Sequence, residues 1–375
     1  MADARWGRAL LGLFGFALMA AYWPSINGAA TSPRWAVLAL GLVGLLFSLD
    51  VKVTLGHIAG ALFLGWCTAS YLWTATPLDS VDALLKLWIM AGLFVLGSSI
   101  ADLRPFYLGA AAGLAVSSAL VVLVVSGLVS YAQTSPPAGL FLNYLYLAEA
   151  AALVAVACGA NGLWWAVGAV APSLGLYHLA RGPLVAVGAV SGLLGWRYSR
   201  RVGLLLAVGG ALVVLGAVWL RPATVVDRFA LWEDAWSGLT FFGRGFGSYF
   251  GAVPFFSTHI DMAAIRHFHP NNWPLELLFE VGVPGTILAM ALCAILLDRR
   301  LGAERLVLIA FLVEGLVGFP FSLPATAGFV ALVAGRAARD LPHWRDATAA
   351  RRGVVRRGPV VSVVSKGNRC QRLDW

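Results

Sequence analysis

The sequence has few charged residues, and few acidic ones in particular. Only 12% of its 375 residues are charged, about half the usual share in soluble domains, and 18 acidic side chains stand against 27 basic ones. Its four cysteines show neither paired nor C-x-x-C spacing, so they indicate no disulfide framework and no zinc site. These shortages exclude an ordinary soluble globular enzyme.

Long hydrophobic runs fill the chain instead, and 60% of its residues are hydrophobic. Because most runs are about 20 residues long, the length that crosses a bilayer, we predict an all-α polytopic membrane protein with about twelve spans. The predicted spans lie near 9–26, 35–49, 54–73, 83–100, 105–130, 141–159, 162–179, 183–197, 202–220, 274–297, 304–319 and 322–337. We interpret the first as a retained span and not a signal peptide, because hydrophobic segments follow almost without pause.

The predicted organisation has four parts. Residues 1–220 hold spans 1–9, residues 221–273 form one long loop, residues 274–340 hold spans 10–12, and residues 341–375 form a basic tail predicted to be disordered. Most arginines and lysines between spans fall on one side, which places both termini in the cytoplasm and the long loop outside. Topology thus accounts for most of the net charge of +9, and no nucleic-acid partner is expected. The tail is expected to contact anionic lipids.

The first part of the long loop predicts an amphipathic helix. Thr224 and Asp227 form a Ser/Thr-x-x-Asp/Glu capping signature for a helix that runs to about Trp236. Its apolar face would carry Val225, Phe229, Trp232 and Trp236. Such a helix lies on the outer bilayer surface and presents Arg228 and Glu233 to water. The alternative interpretation is a purely structural lid.

A glycine-rich segment follows at Phe242–Tyr249 and contains Arg244. Closely spaced glycines allow backbone N–H groups to converge on an anion, and Arg244 would add positive charge. The spacing matches neither a Walker A nor a Rossmann motif. A tight turn between two surface elements is the alternative interpretation.

Four residues of metal-ligating type then occur within eleven positions, and two interpretations stay open. These residues are His259, Asp261, His267 and His269. A metal site is one interpretation, although no regular spacing connects all four. The other, which we favour, is a single histidine acting as a general base. His269 is the best candidate, because Pro270 fixes it just before the next helix.

Several charged residues lie in or beside the predicted spans. Glu276 and Glu280 are four residues apart on one face of the tenth span, and carboxylates in a membrane are functional by default or paired with arginine. Arg181 is either a snorkelling residue at a span end or an anion ligand of the outer cavity. Lys86 and Glu149 are expected to pair with other helices.

Taken in order, these motifs resemble the O-antigen ligase and O-antigen polymerase superfamily over residues 70 to 290. The resemblance is carried by Arg181-Gly182, Arg228-x-x-x-Trp232, Phe242-Gly243-x-Gly245-x-Gly247, His269-Pro270-Asn271-Asn272, Leu275 and Glu280-x-Gly282-x-x-Gly285. Weaker similarity lies at Trp73–Pro77 and at Gly139-x-Phe141-x-Asn143.

The resemblance implies a glycosyltransferase of the bacterial inner membrane that works on the periplasmic side. It would move a glycan from undecaprenyl pyrophosphate to lipid A-core, or to a growing glycan, with no cofactor, metal or nucleotide sugar. Arg181 and Arg228 would bind the pyrophosphate and a histidine would activate the acceptor hydroxyl. The remaining substrate-binding candidates are Arg244, Asn271, Asn272 and Glu280.

The sequence departs from the family pattern at the histidine. The family places His-Asn directly before the helix, where this chain has Asn271-Asn272, and its nearest histidine is His269. Either His269 takes over as the base, or Asn271 orients the acceptor and another group takes the proton.

Other functions remain open at this point. Within the family we favour a ligase over a repeat-unit polymerase or a protein O-glycosyltransferase. A secondary transporter or lipid-glycan flippase would also have about twelve spans, but we find no repeat between the two halves of the chain. A structural scaffold explains the outward arginines least well.

Overall fold

The computed structural model describes residues 2–22, 31–43, 51–129, 139–141, 143–174, 181–220, 223–255, 269–297 and 302–342. Within these ranges the regular secondary structure is helical, which confirms the all-α class. The helices are α1 (Ala2–Ala20), α2 (Ser32–Val43), α3 (Leu55–Ala69), α4 (Pro77–Ser99), α5 (Arg104–Val125), α6 (Tyr144–Ala160), α7 (Trp164–Val170), α8 (Arg181–Tyr198), α9 (Arg200–Leu220), α10 (Ala223–Ser237), α11 (Tyr249–Ala252), α12 (Trp273–Leu297), α13 (Ala303–Gly315) and α14 (Pro324–Arg339).

Four helical segments in the described residues are long and apolar enough to cross a membrane. They are Leu55–Trp73, Pro77–Ser99, Arg104–Val125 and Trp273–Leu297, and each coincides with a predicted span. Trp6–Ala20, Ser32–Val43, Tyr144–Ala160 and Gly182–Trp196 are apolar but shorter. The span predicted at 162–179 contains only the seven-residue α7 and a four-residue 3₁₀ turn before the described range ends. Most of the basic tail lies outside the described residues.

Small residues let two helix pairs approach closely. A Cβ atom on Gly109 of α5 would lie 1.8 Å from the carbonyl oxygen of Gly12 in α1, and one on Gly335 of α14 would lie 1.9 Å from that of Phe94 in α4. Such contacts exclude any side chain at either glycine, and packing of this kind is a main source of helix association where the surroundings are apolar.

Arginines gather at one end of the helix bundle, which we name the basic end. Arg336 and Arg339 of α14 donate to the carbonyl oxygens of Ala101 and Ser99 at 3.1 and 3.0 Å. Arg305 at the start of α13 likewise donates to Leu296 O at 3.1 Å. The basic end therefore holds the ends of α4, α12 and α14 and the start of α13.

The helix predicted in the loop is confirmed as α10. Leu231 and Ala235 are buried against the bundle, while Phe229 and Trp236 are 59% and 67% exposed, as a face that lies on a bilayer requires. Glu233 is exposed as expected. The prediction that Arg228 points to water is wrong. Arg228 is half-buried on the same face as Leu231, because that face packs on the bundle.

Candidate functional site

The end opposite the basic end, which we name the site end, holds a break in α12. Gly282 has φ 65° and ψ −169°, and Pro284 has no N–H group to donate to the carbonyl of Glu280. The regular hydrogen bonding of the helix is therefore interrupted. The carbonyl groups of Phe279 and Glu280 and the N–H group of Val283 need partners from elsewhere in the protein.

The glycine-rich segment supplies these partners. Arg244 N–H donates to Phe279 O at 2.9 Å, Gly245 N–H donates to Glu280 O at 2.8 Å, and Val283 N–H donates to Phe241 O at 2.9 Å. A Cβ on Gly243, whose φ is +77°, would lie 2.3 Å from Glu280 O. The glycine is therefore required both by its left-handed backbone and by the close contact.

The carboxylate of Glu280 holds the far side of the same segment. Its Oε1 accepts the N–H of Tyr249 at 3.1 Å, and the carboxylate also accepts a hydrogen bond from the backbone N–H of Gly247. Phe246 N–H donates to Ser70 Oγ at 2.9 Å. These N–H groups bond within the protein and do not converge on an external anion, so the arrangement agrees with the alternative interpretation of a turn between two elements.

Two further residues predicted to bind substrate have internal partners at the same place. Arg244 donates from Nε to Gly238 O at 2.9 Å. Glu280 is buried, and its bonds to Tyr249 and Gly247 direct its carboxylate to the loop backbone. Both residues therefore bond to the loop, and their contact with substrate stays a prediction.

The Asn271-Asn272 pair shapes the start of α12. Asn271 has φ +52°, a left-handed conformation that asparagine adopts more readily than most residues. Asn272 caps the helix, because its Oδ1 accepts the N–H of Leu275 at 3.0 Å and its carbonyl accepts that of Glu276 at 3.0 Å. The capping bond uses the Asn272 side-chain oxygen, and the substrate contact predicted for Asn272 stays a prediction.

His269 lies against the first turn of α12. Its Nδ1 is 2.6 Å from Glu276 Oε1, and its ring stacks on Phe319 with centroids 4.7 Å apart. The next carbonyl, that of Pro270, accepts a 2.8 Å hydrogen bond from Trp232 Nε1 in α10. The side chain is 23% exposed. The ring of His269 is therefore held by Glu276 and Phe319, its neighbouring backbone is held by Trp232, and part of the side chain is still exposed.

Carboxylates around His269 favour its protonated form. Burial lowers the pKa of His269, and Lys86 lowers it to a smaller extent. The carboxylates of Glu276 and Glu280 raise it by more. The pKa of His269 therefore lies above its ordinary value of 6.5. An imidazole that titrates near or above neutral pH suits acid–base chemistry.

Arg228 reaches a second group of acidic residues at the site end. It interacts electrostatically with Glu149 of α6, the residue for which sequence analysis expected a partner on another helix. Glu314 of α13 is fully buried nearby: Glu149 Oε1 and the Glu314 carbonyl oxygen lie 3.0 and 3.2 Å from the Cβ position of Gly318.

Glu314 was not predicted from the sequence, although a carboxylate near the end of an apolar run is a usable signal. Lys86 pairs with Asp82 on its own helix and also lies 5.7 Å from the centre of the Trp35 ring in α2.

Arg181 begins α8, and its side chain lies outside what the structure describes. Its neighbour Gly182 is close to Val317, since a Cβ there would be 3.4 Å from Val317 Cγ2. The start of α8 is therefore near the turn that carries Phe319. Three candidate metal ligands, His259, Asp261 and His267, lie outside the described residues. Among the described residues no three His, Cys, Asp or Glu side chains are grouped to hold a metal.

A largely apolar groove of about 750 Å³ separates α10 from α12. Phe229 and Trp236 line it on one side and Leu275 and Leu278 on the other. Trp232, which also lines the groove, bonds to Pro270 beside His269. The groove therefore lies beside the backbone that follows His269.

Fold and site together define a helical protein with apolar, membrane-length helices and a polar cluster at one end of the bundle. Comparison with protein-family models gives no match, and comparison with curated proteins gives none either.

Proposed function

We propose that the chain is a membrane glycosyltransferase that moves a glycan from undecaprenyl pyrophosphate to an acceptor hydroxyl. The observation that carries this proposal is the hydrogen-bonded pair of His269 and Glu276 at the bundle end that also holds Arg228. An apolar groove adjoins this pair, as a lipid-linked substrate requires. The motif resemblance to the O-antigen ligase and polymerase superfamily points to the same reaction class.

The reaction assigns a role to each group. The acceptor oxygen attacks the anomeric carbon and forms the new C–O bond, while the bond from that carbon to the phosphate oxygen breaks and its electron pair leaves with the pyrophosphate. His269 takes the hydroxyl proton at Nε2. Arg181 and Arg228 offset the charge that develops on the leaving group, because guanidinium groups match phosphate oxygens.

Glu149 has a defined part in this proposal. The positive charge of Arg228 acts on the Glu149 carboxyl, which places the two groups near each other at the site end. A pyrophosphate that binds there either shares Arg228 with Glu149 or replaces it as partner. We assign the arginine to leaving-group binding and Glu149 to its orientation.

We further propose about twelve spans, with both termini in the cytoplasm and residues 221–273 on the periplasmic side of a bacterial inner membrane. The basic end supports this orientation, since Arg305, Arg336 and Arg339 mark the cytoplasmic face under the positive-inside rule. The site end then faces the periplasm, where lipid-linked glycans are joined to their acceptors. Among acceptors we propose lipid A-core first, which makes the protein an O-antigen ligase.

Reconstitution tests the proposal. Proteoliposomes containing the protein receive undecaprenyl-pyrophosphate-linked oligosaccharide and lipid A-core, and gel mobility follows the glycan. We expect wild-type protein to move glycan to lipid A-core and His269→Gln to lose this activity. Arg104→Gln, which removes a charge at the start of α5 near the basic end, is the matched control and should remain active.

Other results would revise the proposal. Longer lipid-linked chains in place of glycosylated lipid A-core would identify a polymerase. If no covalent product forms and glycolipid appears in the opposite leaflet, the protein is a transporter or flippase and not an enzyme.

A further inference from the structure

The bond between His269 and Glu276 determines which ring nitrogen carries a proton. A carboxylate only accepts hydrogen bonds, so at 2.6 Å from Glu276 Oε1 the Nδ1 atom must be the donor. In the neutral ring Nε2 is then unprotonated. Among the described residues this is the one hydrogen bond of the His269 ring.

We propose that Glu276 is a positioning residue that holds His269 in the Nδ1–H tautomer with Nε2 as the proton acceptor. The proposal deepens the proposed function and rests on it for the identity of the reaction. It assigns no substrate contact to Glu276.

The start of α12 directs Glu276 toward the histidine. Asn272 caps the helix, so Glu276 stands in its first turn, and side chains in a helix tilt toward its N-terminus. The left-handed Asn271 turns the preceding chain back over that first turn. This turn brings His269 to the Glu276 carboxylate. His269 does so although it stands two residues before Asn271, the position at which the family pattern has its histidine.

The remaining contacts of the pair make the arrangement rigid. Stacking on Phe319 fixes the plane of the ring, and the Trp232 bond to Pro270 fixes the adjoining backbone. Glu276 is only 7% exposed, and its Oε2 has no hydrogen-bond partner among the described residues. The hydrogen bond to His269 therefore offsets most of the cost of burying the Glu276 carboxylate. Removing either residue should leave the other without its hydrogen-bond partner.

Nitrogen NMR of the full-length protein with ¹⁵N-labelled histidine tests the tautomer directly, and His269→Gln identifies the signal. We expect wild-type His269 to show the Nδ1–H tautomer and Glu276→Gln to lower its titration midpoint, because an adjacent negative charge is removed. Glu280 and Lys86, the other charged groups that act on the ring, are unchanged in this variant. Glu304→Gln, in the first turn of α13, is the matched control and should leave the midpoint in place.

Activity measurements separate positioning from general stability. We expect Glu276→Gln to lower kcat at least about ten-fold with KM for the donor unchanged. The same substitution in a His269→Gln background should cause no further loss, because a residue that acts through another shows such non-additivity. Losses that multiply in the double variant would show a structural role and overturn the proposal.

The two proposals fail in different ways. An Nε2–H tautomer in the wild-type protein, or an unmoved midpoint in Glu276→Gln, overturns the positioning role whatever the reaction. Lack of glycan transfer by wild-type protein overturns the proposed function and leaves the NMR result as the test of positioning. If Glu276→Gln does not fold, the wild-type tautomer still decides.

Discussion

The amide of Tyr249 donates a 3.1 Å hydrogen bond to the buried carboxylate of Glu280, a residue 31 positions further along the chain. This bond attaches the glycine-rich segment to the first half of α12, and three backbone bonds across the helix break complete the attachment. The loop and the half-helix that carries Glu276 therefore form one structural unit.

Gly243→Ala should damage this unit. An alanine there would need a left-handed backbone and would contact Glu280 O at 2.3 Å, so we expect a loss of at least about 2 kcal/mol in the free energy of unfolding. Thermal unfolding in detergent measures the change. Gly65→Ala is the control, because a Cβ on Gly65 meets no atom within 4 Å and should be tolerated. Equal stability of the two variants would contradict the loop docking.

Protonation of His269 should stabilise the folded protein. Because its folded pKa is raised above 6.5, this contribution is fully present below the unfolded pKa and is lost as pH rises through the folded pKa. The difference in stability between wild type and His269→Gln should therefore be largest below pH 6.5 and shrink as pH rises through the folded pKa. Denaturant unfolding at several pH values measures it, and a difference that grows with pH would refute the assignment.

Transfer activity should follow the same group with the opposite dependence. A protonated imidazole accepts no proton, so we expect the rate to rise with pH and to reach half its maximum above pH 6.5. Glu276→Gln should move this midpoint to lower pH. A rate that is flat between about pH 5 and pH 8 would exclude His269 as the base.

Trp232→Phe should disturb the backbone next to His269. The substitution keeps an aromatic ring but removes the donor to Pro270 O, and we expect a loss of about 1 kcal/mol in stability and a lower kcat. Trp236→Phe, which changes an indole that is 67% exposed on the same helix, is the matched control. If both variants behave alike, the Pro270 bond has no role in placing the histidine.

Arg228→Gln should show whether the arginine is structural, functional or both. Its removal leaves the Glu149 carboxylate buried without its partner, and we expect a loss of about 1–3 kcal/mol. Adding Glu149→Gln should recover the stability but not the transfer activity. Recovery of both would mean that the pair is purely structural.

Sequence patterns predicted the elements whose signals are local. The Thr224 and Asp227 signature gave α10 within two residues of its observed start, and hydrophobic length gave the four membrane-length segments. Both signals depend on residues close together in the chain, where capping and burial act directly.

Contacts between distant residues were beyond those patterns. Arg228 and Glu149 pair across 79 positions, so amphipathic spacing placed the arginine on the wrong side of α10. Gly282 and Pro284 can be read from the sequence as a possible helix break. The bonds that satisfy the break cannot, because they come from the loop: Phe241 O accepts the N–H of Val283, and Gly245 N–H donates to Glu280 O. The same holds for Glu280: its place in a membrane span suggests a functional carboxylate, whereas its partner Tyr249 lies 31 positions away in the loop.

The break in α12 also joins three elements. Trp66 Nε1 of α3 donates to the carbonyl of Val281 at 2.9 Å, and residues 241–245 bond the backbone on both sides of Gly282. The half-helix that carries Glu276 is therefore held at its C-terminal end by α3 and by the loop together. A substitution in residues 241–245 can thus change the geometry of the His269 pair without touching either member of it.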